Sequence, residues 1–502
     1  MLDQKKFGTL RAIFWPVYRS EVKKVVSMLI LLFLLCICHN ILRNLKDTIV
    51  LTAKNSGAEV IPFLKVWGIL PGAIAATWCY TRLARRFSRE AIFYIVVSSF
   101  IAYFLLFVFV IHPNSEMLHL NALGDFLSQH LPVGFKGLIS MIRNWTFTSF
   151  YIISELWAVV VLGVLFWGFA NDITEVSQAK RTYGILNIGS NIAPMLGGGV
   201  GILCARLFPT PMFSTTEEAW SQTVVNTVVT LTILAMLAMV LFYWIRRSIL
   251  EKKETETSPT IEKETREKFS IRQSIRYISK SKYLTCLAFI MLGYNISINV
   301  TDVLWKEQLK RFFTNPNDML EHMNQVMIGV GLVATLGGSL FSLMVNRLGW
   351  TFVAILTPAV MAIMAVGFFI FLFCGDALTA FAWTLFGTGP FALTVYFGSL
   401  QNCLSKGGKY SVFDASKELA FLPLDAESRL KGKAAIDGLG AGIGKSGASL
   451  AYQGLIILFG SVAASTPYIA ILLLFVLSAW ISSVIRLGGF FKRATVPQEQ
   501  AS

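Results

Sequence analysis

Long apolar runs, separated by short polar and mostly basic stretches, follow one another along nearly the whole chain. A run of about 20 apolar residues is long enough to cross the hydrocarbon core of a bilayer. Because that core offers no partner for an unpaired backbone group, spans of this length are helices. The sequence therefore predicts an all-α integral membrane protein with about 12 transmembrane helices. The predicted spans lie near residues 25–42, 59–80, 91–111, 148–170, 184–205, 223–245, 284–304, 324–345, 351–374, 377–402, 434–459 and 463–487.

A polar segment divides these spans into two sets of six. Residues 249–269 are charged and repetitive, which is typical of a cytoplasmic linker. The predicted domains are an N-terminal six-helix half at 1–245, a linker at 246–283 and a C-terminal six-helix half at 284–502. Two six-span halves joined by a cytoplasmic loop form the layout of major-facilitator transporters, with a central cavity between the halves.

The charge distribution predicts the orientation of the chain. The net charge is +15, the chain is 55% hydrophobic and its mean hydropathy is +0.61. In a soluble protein this charge would suggest a nucleic-acid partner, but here the positive-inside rule explains most of it. The basic stretches at 82–89, 246–282 and 403–433 are predicted to be cytoplasmic, together with both termini. The long loop at 112–145 is poor in Lys and Arg and is predicted to lie outside.

The sequence offers no pattern for catalysis or metal binding. The seven cysteines fall in or at the edges of apolar spans, without a CxxC motif, so neither a metal site nor a cofactor is expected. The five histidines are scattered, and no nucleophile–base arrangement argues for an enzyme. The glycine-rich run at 440–447 fails the phosphate-binding loop pattern at Leu439, and no strand precedes it. The first residues do not form a secretory signal peptide.

Charged residues within apolar spans are the candidates for function. Glu155 lies in a run that could cross the bilayer, Lys46 and Asp302 lie near the ends of two others, and Lys445 lies within a fourth. A charge at the centre of a bilayer costs about 2.5–3.5 kcal/mol on translocon scales unless it faces a partner or water. Intramembrane charges of both signs on separate spans therefore predict a polar cavity inside the helical bundle.

Two cations near the end of the first span could bind a polyphosphate. Arg43 and Lys46 are three residues apart and share one helix face. Phosphates are recognised by charge-assisted hydrogen bonds from Arg and Lys, which favours this function. The alternative is interfacial snorkelling, with Asp47 as a salt-bridge partner. The spacing does not decide between the two.

Polar residues also follow one face of the predicted seventh helix. Asn295, Asn299 and Asp302 occur at i, i+4 and i+7, so they form a stripe that either lines a cavity or bonds a neighbouring helix. Asn187 and Asn191 lie in a glycine-rich span, as Lys445 does. These residues complete the predicted substrate site.

The chain resembles the ADP/ATP translocases, the nucleotide transporter family of obligate intracellular bacteria and plastids. The similar segments are Phe14–Pro16, Leu45–Thr48, Gly57–Trp67, Arg143–Phe147, Ser154–Trp157, Phe166–Asn171, Lys180–Arg181, Gln401–Asn402, Phe413–Ala420, Pro423–Asp425, Lys431–Asp437 and Gly444–Gly447. The resemblance implies a major-facilitator-like fold and exchange of ATP for ADP plus phosphate. It implies that the important charges are Lys46, Glu155, Asp302 and Lys445. One departure is that Asn295 and Asp302 stand where relatives typically have glycine and glutamate.

Further expectations complete the hypothesis. The partners implied are ATP, ADP, phosphate or other nucleotides, and membrane lipid, for a monomer in the inner membrane of an intracellular bacterium. Glu155 and Asp302 would be repelled by the phosphates, so we place them either on the base or ribose, or in salt bridges to cavity cations. Two alternatives stay open: a proton-coupled importer of other nucleoside triphosphates, and a membrane-embedded enzyme acting on a phosphorylated lipid.

Overall fold

The computed structural model describes residues 16–207, 215–250, 271–439, 444 and 446–499, and over these residues the regular secondary structure is entirely helical. We label the principal helices in chain order. They are α1 Arg19–Thr52, α2 Val60–Ala84, α3 Arg89–Ile111, α4 Trp145–Ile173, α5 Val176–Arg206, α6 Thr216–Ile245, α7 Lys282–Phe312, α8 Pro316–Leu348, α9 Trp350–Cys374, α10 Asp376–Phe386, α11 Pro390–Phe421, α12 Ala426–Leu439, α13 Ala448–Phe459 and α14 Val462–Glu499. Shorter helices at Ser115–Leu118, Asn121–His130, Lys136–Arg143 and Ile271–Ser279 connect them.

The prediction of an all-α membrane protein is confirmed. Within the described part of the chain, 10 helices are long and apolar enough to cross a membrane, or up to 11 if the bent pair α10–α11 is one span. The predicted span at 434–459 falls partly on 440–443 and 445, which lie outside the described residues. Its described remainder includes the short apolar helix α13.

The predicted span at 377–402 is not one straight helix. Helices α10 and α11 are bent by 72° at a short break. Gly387 ends α10 in the left-handed region, at φ 67°, and Pro390 occupies the first turn of α11. A left-handed glycine and a proline without an amide hydrogen are typical of a helix end and a helix start. Helix α11 then continues to Phe421, so residues 403–421 of the basic stretch 403–433 are helical rather than a loop. The cytoplasmic position of this stretch stays a prediction.

Contacts group the chain into two compact units. The first consists of Met1–Lys46, Gly72–Leu118 and Ser149–Lys263, and the second of Asp47–Pro71, His119–Thr148 and Glu264–Ser502. This grouping follows contacts rather than chain order. The division into two six-helix halves therefore stays a prediction.

Aromatic side chains join the helices of the first unit. Phe93 of α3 stacks on Phe242 of α6 with ring centroids 4.0 Å apart. The indole nitrogen of Trp157 in α4 donates a hydrogen bond to the Leu35 carbonyl oxygen of α1 at 3.1 Å. The Trp157 hydrogen bond joins α4 to α1, the two helices that carry charged candidates in this unit.

The second unit includes the segment His119–Thr148, most of which lies in the predicted outside loop at 112–145. This segment is ordered into short helices and is held by ion pairs from Arg143 to Asp125 at 2.7 Å and from Lys136 to Glu59 at 3.0 Å. Gly134 lies so close to the backbone of α13 that an added Cβ would be 2.5 Å from the Ile457 carbonyl oxygen. The loop is therefore packed closely onto α13.

Candidate functional site

The first unit places two predicted charges together. The Lys46 ammonium lies 3.4 Å from the Glu155 carboxylate, and it lies over the Tyr151 ring, 3.7 Å from the ring centroid. Tyr151 and Glu155 are four residues apart on α4 and therefore share a helix face. Lys46 is buried with 4% of its side chain exposed, whereas Glu155 retains 35% exposure. The pair thus combines a buried cation with a partly exposed carboxylate.

Local helix geometry positions Glu155. Helix α4 changes from α-helical to π-helical geometry over Trp157–Phe166, directly after Glu155 and Leu156. Short π-helical segments inside α-helices often occur at functional sites. Similar segments occur at Leu64–Ile69 in α2, at Phe107–Ile111 in α3 and at Lys409–Phe413 in α11.

The other predicted residues of the first unit are less closely grouped. Arg43 is half-buried on α1, three residues before Lys46. Asn187 is exposed and Asn191 half-buried on α5. Across the described residues, hydrogen bonds and ion pairs do not connect either asparagine to Lys46 or Glu155. Lys445 lies outside the described residues.

The second unit contains a larger cluster, centred on Asp302. One carboxylate oxygen, Oδ2, accepts from Lys306 at 2.6 Å, and the other, Oδ1, accepts from Lys406 at 2.7 Å. Lys306 also contacts Asp47 at 2.7 Å. These four residues come from the end of α1, from α7 and from α11. We call them, together with Lys65, the Asp302 cluster.

The predicted polar stripe on α7 joins this cluster. The side-chain amides of Asn295 and Asn299 donate to the Met291 and Asn295 carbonyl oxygens at 2.9 and 2.7 Å. The Lys65 ammonium of α2 donates to Asn299 Oδ1 at 2.7 Å, and its charge also acts on Asp302. The stripe therefore bonds both its own helix and a cation from a neighbouring helix.

The cluster is buried, which makes its pairing energetically important. Lys306 and Asp47 are 5% and 4% exposed. The desolvation cost of a buried ion is several kcal/mol, and removing one partner of a buried pair typically destabilises a protein by about 3–5 kcal/mol. The contacts of 2.6–2.7 Å have the length of strong charge-assisted hydrogen bonds. The carboxylates of Asp47 and Asp302 therefore compensate the charge of buried lysines.

Sequence reasoning missed the four residues that pair with or surround Asp302. The i, i+4 spacing of Asp302 and Lys306 could have revealed one ion pair. Asp47 was considered as a partner of Arg43 and Lys46, whereas the structure pairs it with Lys306. Lys406 was assigned to the basic stretch 403–433, whereas the structure places it inside α11, where it pairs with Asp302. Lys65 lies within the predicted span 59–80, so its charge inside an apolar run could have revealed it.

The family model described as "TLC ATP/ADP transporter" matches residues 2–491. This chain belongs to the ATP/ADP transporter family. It is 37% identical to ADP,ATP carrier protein 1 of Chlamydia muridarum over 503 residues, covering 99% of this chain and 94% of the relative. It is 37% identical to ADP,ATP carrier protein 1, chloroplastic, of Arabidopsis thaliana over 483 residues, covering 96% and 76% of the two chains. The predicted resemblance is confirmed.

Solved structures agree with the fold of this family member. A crystal structure of the nucleoside transporter NupG matches with a TM-score of 0.52 at 12% identity, covering 94% of this chain and 99% of that chain. A D-xylose–proton symporter matches with a TM-score of 0.51 at 14% identity, covering 93% and 97%. At these identities the likeness concerns the fold alone, and it confirms the major-facilitator-like prediction. The chain is a multi-pass membrane protein of a transporter family.

Proposed function

We propose that this protein exchanges ATP for ADP, together with phosphate, across a membrane by alternating access. The observation that carries the proposal is the identity of 36–37% with ADP,ATP carrier proteins over 98–99% of this chain. The buried, paired charges of both signs support it, because a polyanionic substrate requires cations that are held in place before it arrives. The proposed location is the inner membrane of an intracellular bacterium, with both termini cytoplasmic.

The proposed substrate site uses residues from several helices. Lys46, Arg43 and Lys445 are the cations placed nearest the polyphosphate. Asn187, Asn191, Asn295 and Asn299 supply polar contacts for base and ribose. Glu155 holds Lys46 in an ion pair that the substrate opens, so that occupancy is linked to conformational change. Asp302 is paired instead with Lys306 and Lys406.

Uptake of labelled nucleotides into proteoliposomes tests the transport proposal. Exchange predicts ATP uptake only when ADP is present inside, without dependence on a pH gradient. Uptake that needs a pH gradient and no internal nucleotide would instead establish a proton-coupled importer. Absence of uptake, with ADP inside and a pH gradient across the membrane, would reject nucleotide transport.

Cysteine labelling tests the proposed orientation. A membrane-impermeant reagent added outside should reach single cysteines introduced in 112–145 and should not reach cysteines in 249–269. The reverse pattern would overturn the orientation but not the transport activity.

A further inference from the structure

The two oxygens of Asp302 are bound in the way that two oxygens of a phosphate would be. Each oxygen accepts from a different lysine on a different helix, Lys306 of α7 and Lys406 of α11. The Nζ–O distances of 2.6 and 2.7 Å are those of an ammonium bound to an anionic oxygen. Asp302 therefore occupies an anion site that is built by lysines.

The charge of the cluster favours an anion. Counted over the five side chains of the Asp302 cluster, three ammonium groups accompany two carboxylates. One carboxylate, Asp47, contacts Lys306 from the end of α1. If Asp302 swings away, Lys306 keeps a carboxylate partner while Lys65 and Lys406 face the position it leaves. An entering phosphate then replaces one anionic partner by another without leaving a buried charge unpaired.

We propose that Lys65, Lys306 and Lys406 form a phosphate-binding subsite in the second unit, and that Asp302 is its resident counter-anion in the absence of substrate. This inference rests on the proposed nucleotide transport and adds to it three lysines that the proposed substrate site does not contain. The ligand is a phosphate group, either on a nucleotide or as free inorganic phosphate. A lysine ammonium has three donors and suits this ligand, since a phosphate presents several acceptor oxygens.

The subsite predicts effects of opposite sign for two substitutions. Lys406→Gln removes one charge-assisted contact, so pyrophosphate and ATP binding should weaken about tenfold to a hundredfold while adenosine binding is unchanged. Asp302→Asn removes the competing anion, so pyrophosphate should bind about three to ten times more tightly. Lys65→Gln should weaken anion binding less than Lys406→Gln, because Lys65 donates to Asn299 rather than directly to Asp302.

Equilibrium binding to purified protein in detergent tests this, with inorganic phosphate, pyrophosphate, ATP and adenosine as probes. Lys409→Gln is the matched control, since Lys409 lies three residues after Lys406 on α11 but pairs with Asp414 at 4.0 Å. Lys409→Gln should leave all four affinities unchanged. Lys406→Arg keeps the charge and should retain pyrophosphate binding, which separates the loss of charge from misfolding.

A double substitution separates this proposal from a purely structural ion pair. If the lysine and the carboxylate serve only to pair with each other, Lys406→Met with Asp302→Asn restores wild-type pyrophosphate binding and exchange. The proposed subsite predicts that the double variant binds pyrophosphate more weakly than Asp302→Asn alone, because the Lys406 ammonium is lost. Weaker pyrophosphate binding in Asp302→Asn would also overturn the proposal.

Competition identifies the source of the phosphate. If ATP displaces inorganic phosphate from a site that depends on Lys406, the nucleotide phosphates occupy the subsite. Simultaneous binding of both assigns it to free phosphate. Wild-type exchange combined with unaltered anion affinities in the lysine variants would reject the subsite while the proposed function stands. Binding changes as predicted, without exchange, would support the subsite and reject the transport activity.

Discussion

The Lys46–Glu155 pair and the Asp302 cluster use the same chemistry in different surroundings. In the first, one lysine meets one carboxylate at 3.4 Å, and 35% of the Glu155 side chain is exposed. In the second, the described contacts are 2.6–2.7 Å long and join side chains from four helices, none of the measured ion-pair partners being more than 13% exposed. We therefore expect the Lys46–Glu155 pair to break at a lower cost in free energy. We expect the Asp302 cluster to hold its helices together until an anion replaces a carboxylate.

The largest expected effect is the loss of stability when Lys306 is replaced. Lys306→Met leaves Asp47 without this buried partner, so we expect the free energy of unfolding in detergent to fall by about 3–5 kcal/mol. Arg311→Met is the matched control on the same helix, because Arg311 is 46% exposed and pairs with Glu307 four residues earlier. It should cost no more than about 1 kcal/mol. Equal costs for the two variants would show that the cluster does not stabilise the second unit.

Lys46→Gln should have a smaller effect on stability and a large effect on substrate binding. The remaining Glu155 side chain is 35% exposed, so losing its partner costs less than it would for a fully buried carboxylate. ATP affinity should fall about tenfold to a hundredfold, and adenosine affinity should be nearly unchanged. Calorimetric titration of both ligands measures this. Unchanged ATP affinity would remove Lys46 from the substrate site.

Glu155→Gln should act mainly on turnover. The amide keeps the shape but not the charge, so the carrier loses the ion pair that we propose the substrate opens. We expect the exchange rate per bound nucleotide to fall about tenfold or more, with ATP affinity changed by less than about threefold. Normal turnover combined with lost binding would make Glu155 a contact residue and not a gate.

The smallest expected effect is on salt dependence. Raising the salt concentration from 0.05 to 0.5 M should reduce the coupling energy between Lys46 and Glu155 by a few tenths of a kcal/mol, because exposed charges are screened. The coupling between Lys406 and Asp302 should change less, because both side chains are only 13% exposed. Double-mutant cycles at two salt concentrations compare the pairs. Equal salt dependence of the two coupling energies would contradict the expectation that the more exposed pair is screened more strongly.

The sequence was most informative where a charge interrupts an apolar run. Glu155, Lys46 and Asp302 could be identified in this way because a charge in hydrocarbon is costly wherever the chain folds. Asn295 and Asn299 followed from helical spacing, and the structure places them on one face with Asp302. These predictions depended only on local sequence and on the solvent properties of the bilayer.

The residues that the sequence did not reveal depend on tertiary contacts. Lys406 lies in a polar stretch that continues to the end of α11. From the sequence alone it therefore resembled a lysine in a loop. Lys65 and Asp47 lie far from Asp302 along the chain, and only the packing of α1 and α2 on α7 brings them near. The bend before Pro390 was not predicted, although the Gly-Thr-Gly-Pro sequence at 387–390 carries its signal, since it combines two helix-ending residues with a helix-starting one.

The π-helical segments also bear on how these helices could turn. Lys65 lies within one, Glu155 lies just before a second and Lys406 just before a third. A π-helical turn closes its hydrogen bond one residue later than an α-helical turn does. Relaxing such a segment to α-helix therefore rotates everything beyond it by about 100° about the helix axis, the angle of one residue. A change between the two geometries would therefore turn the charged side chain at the segment relative to the far end of its helix.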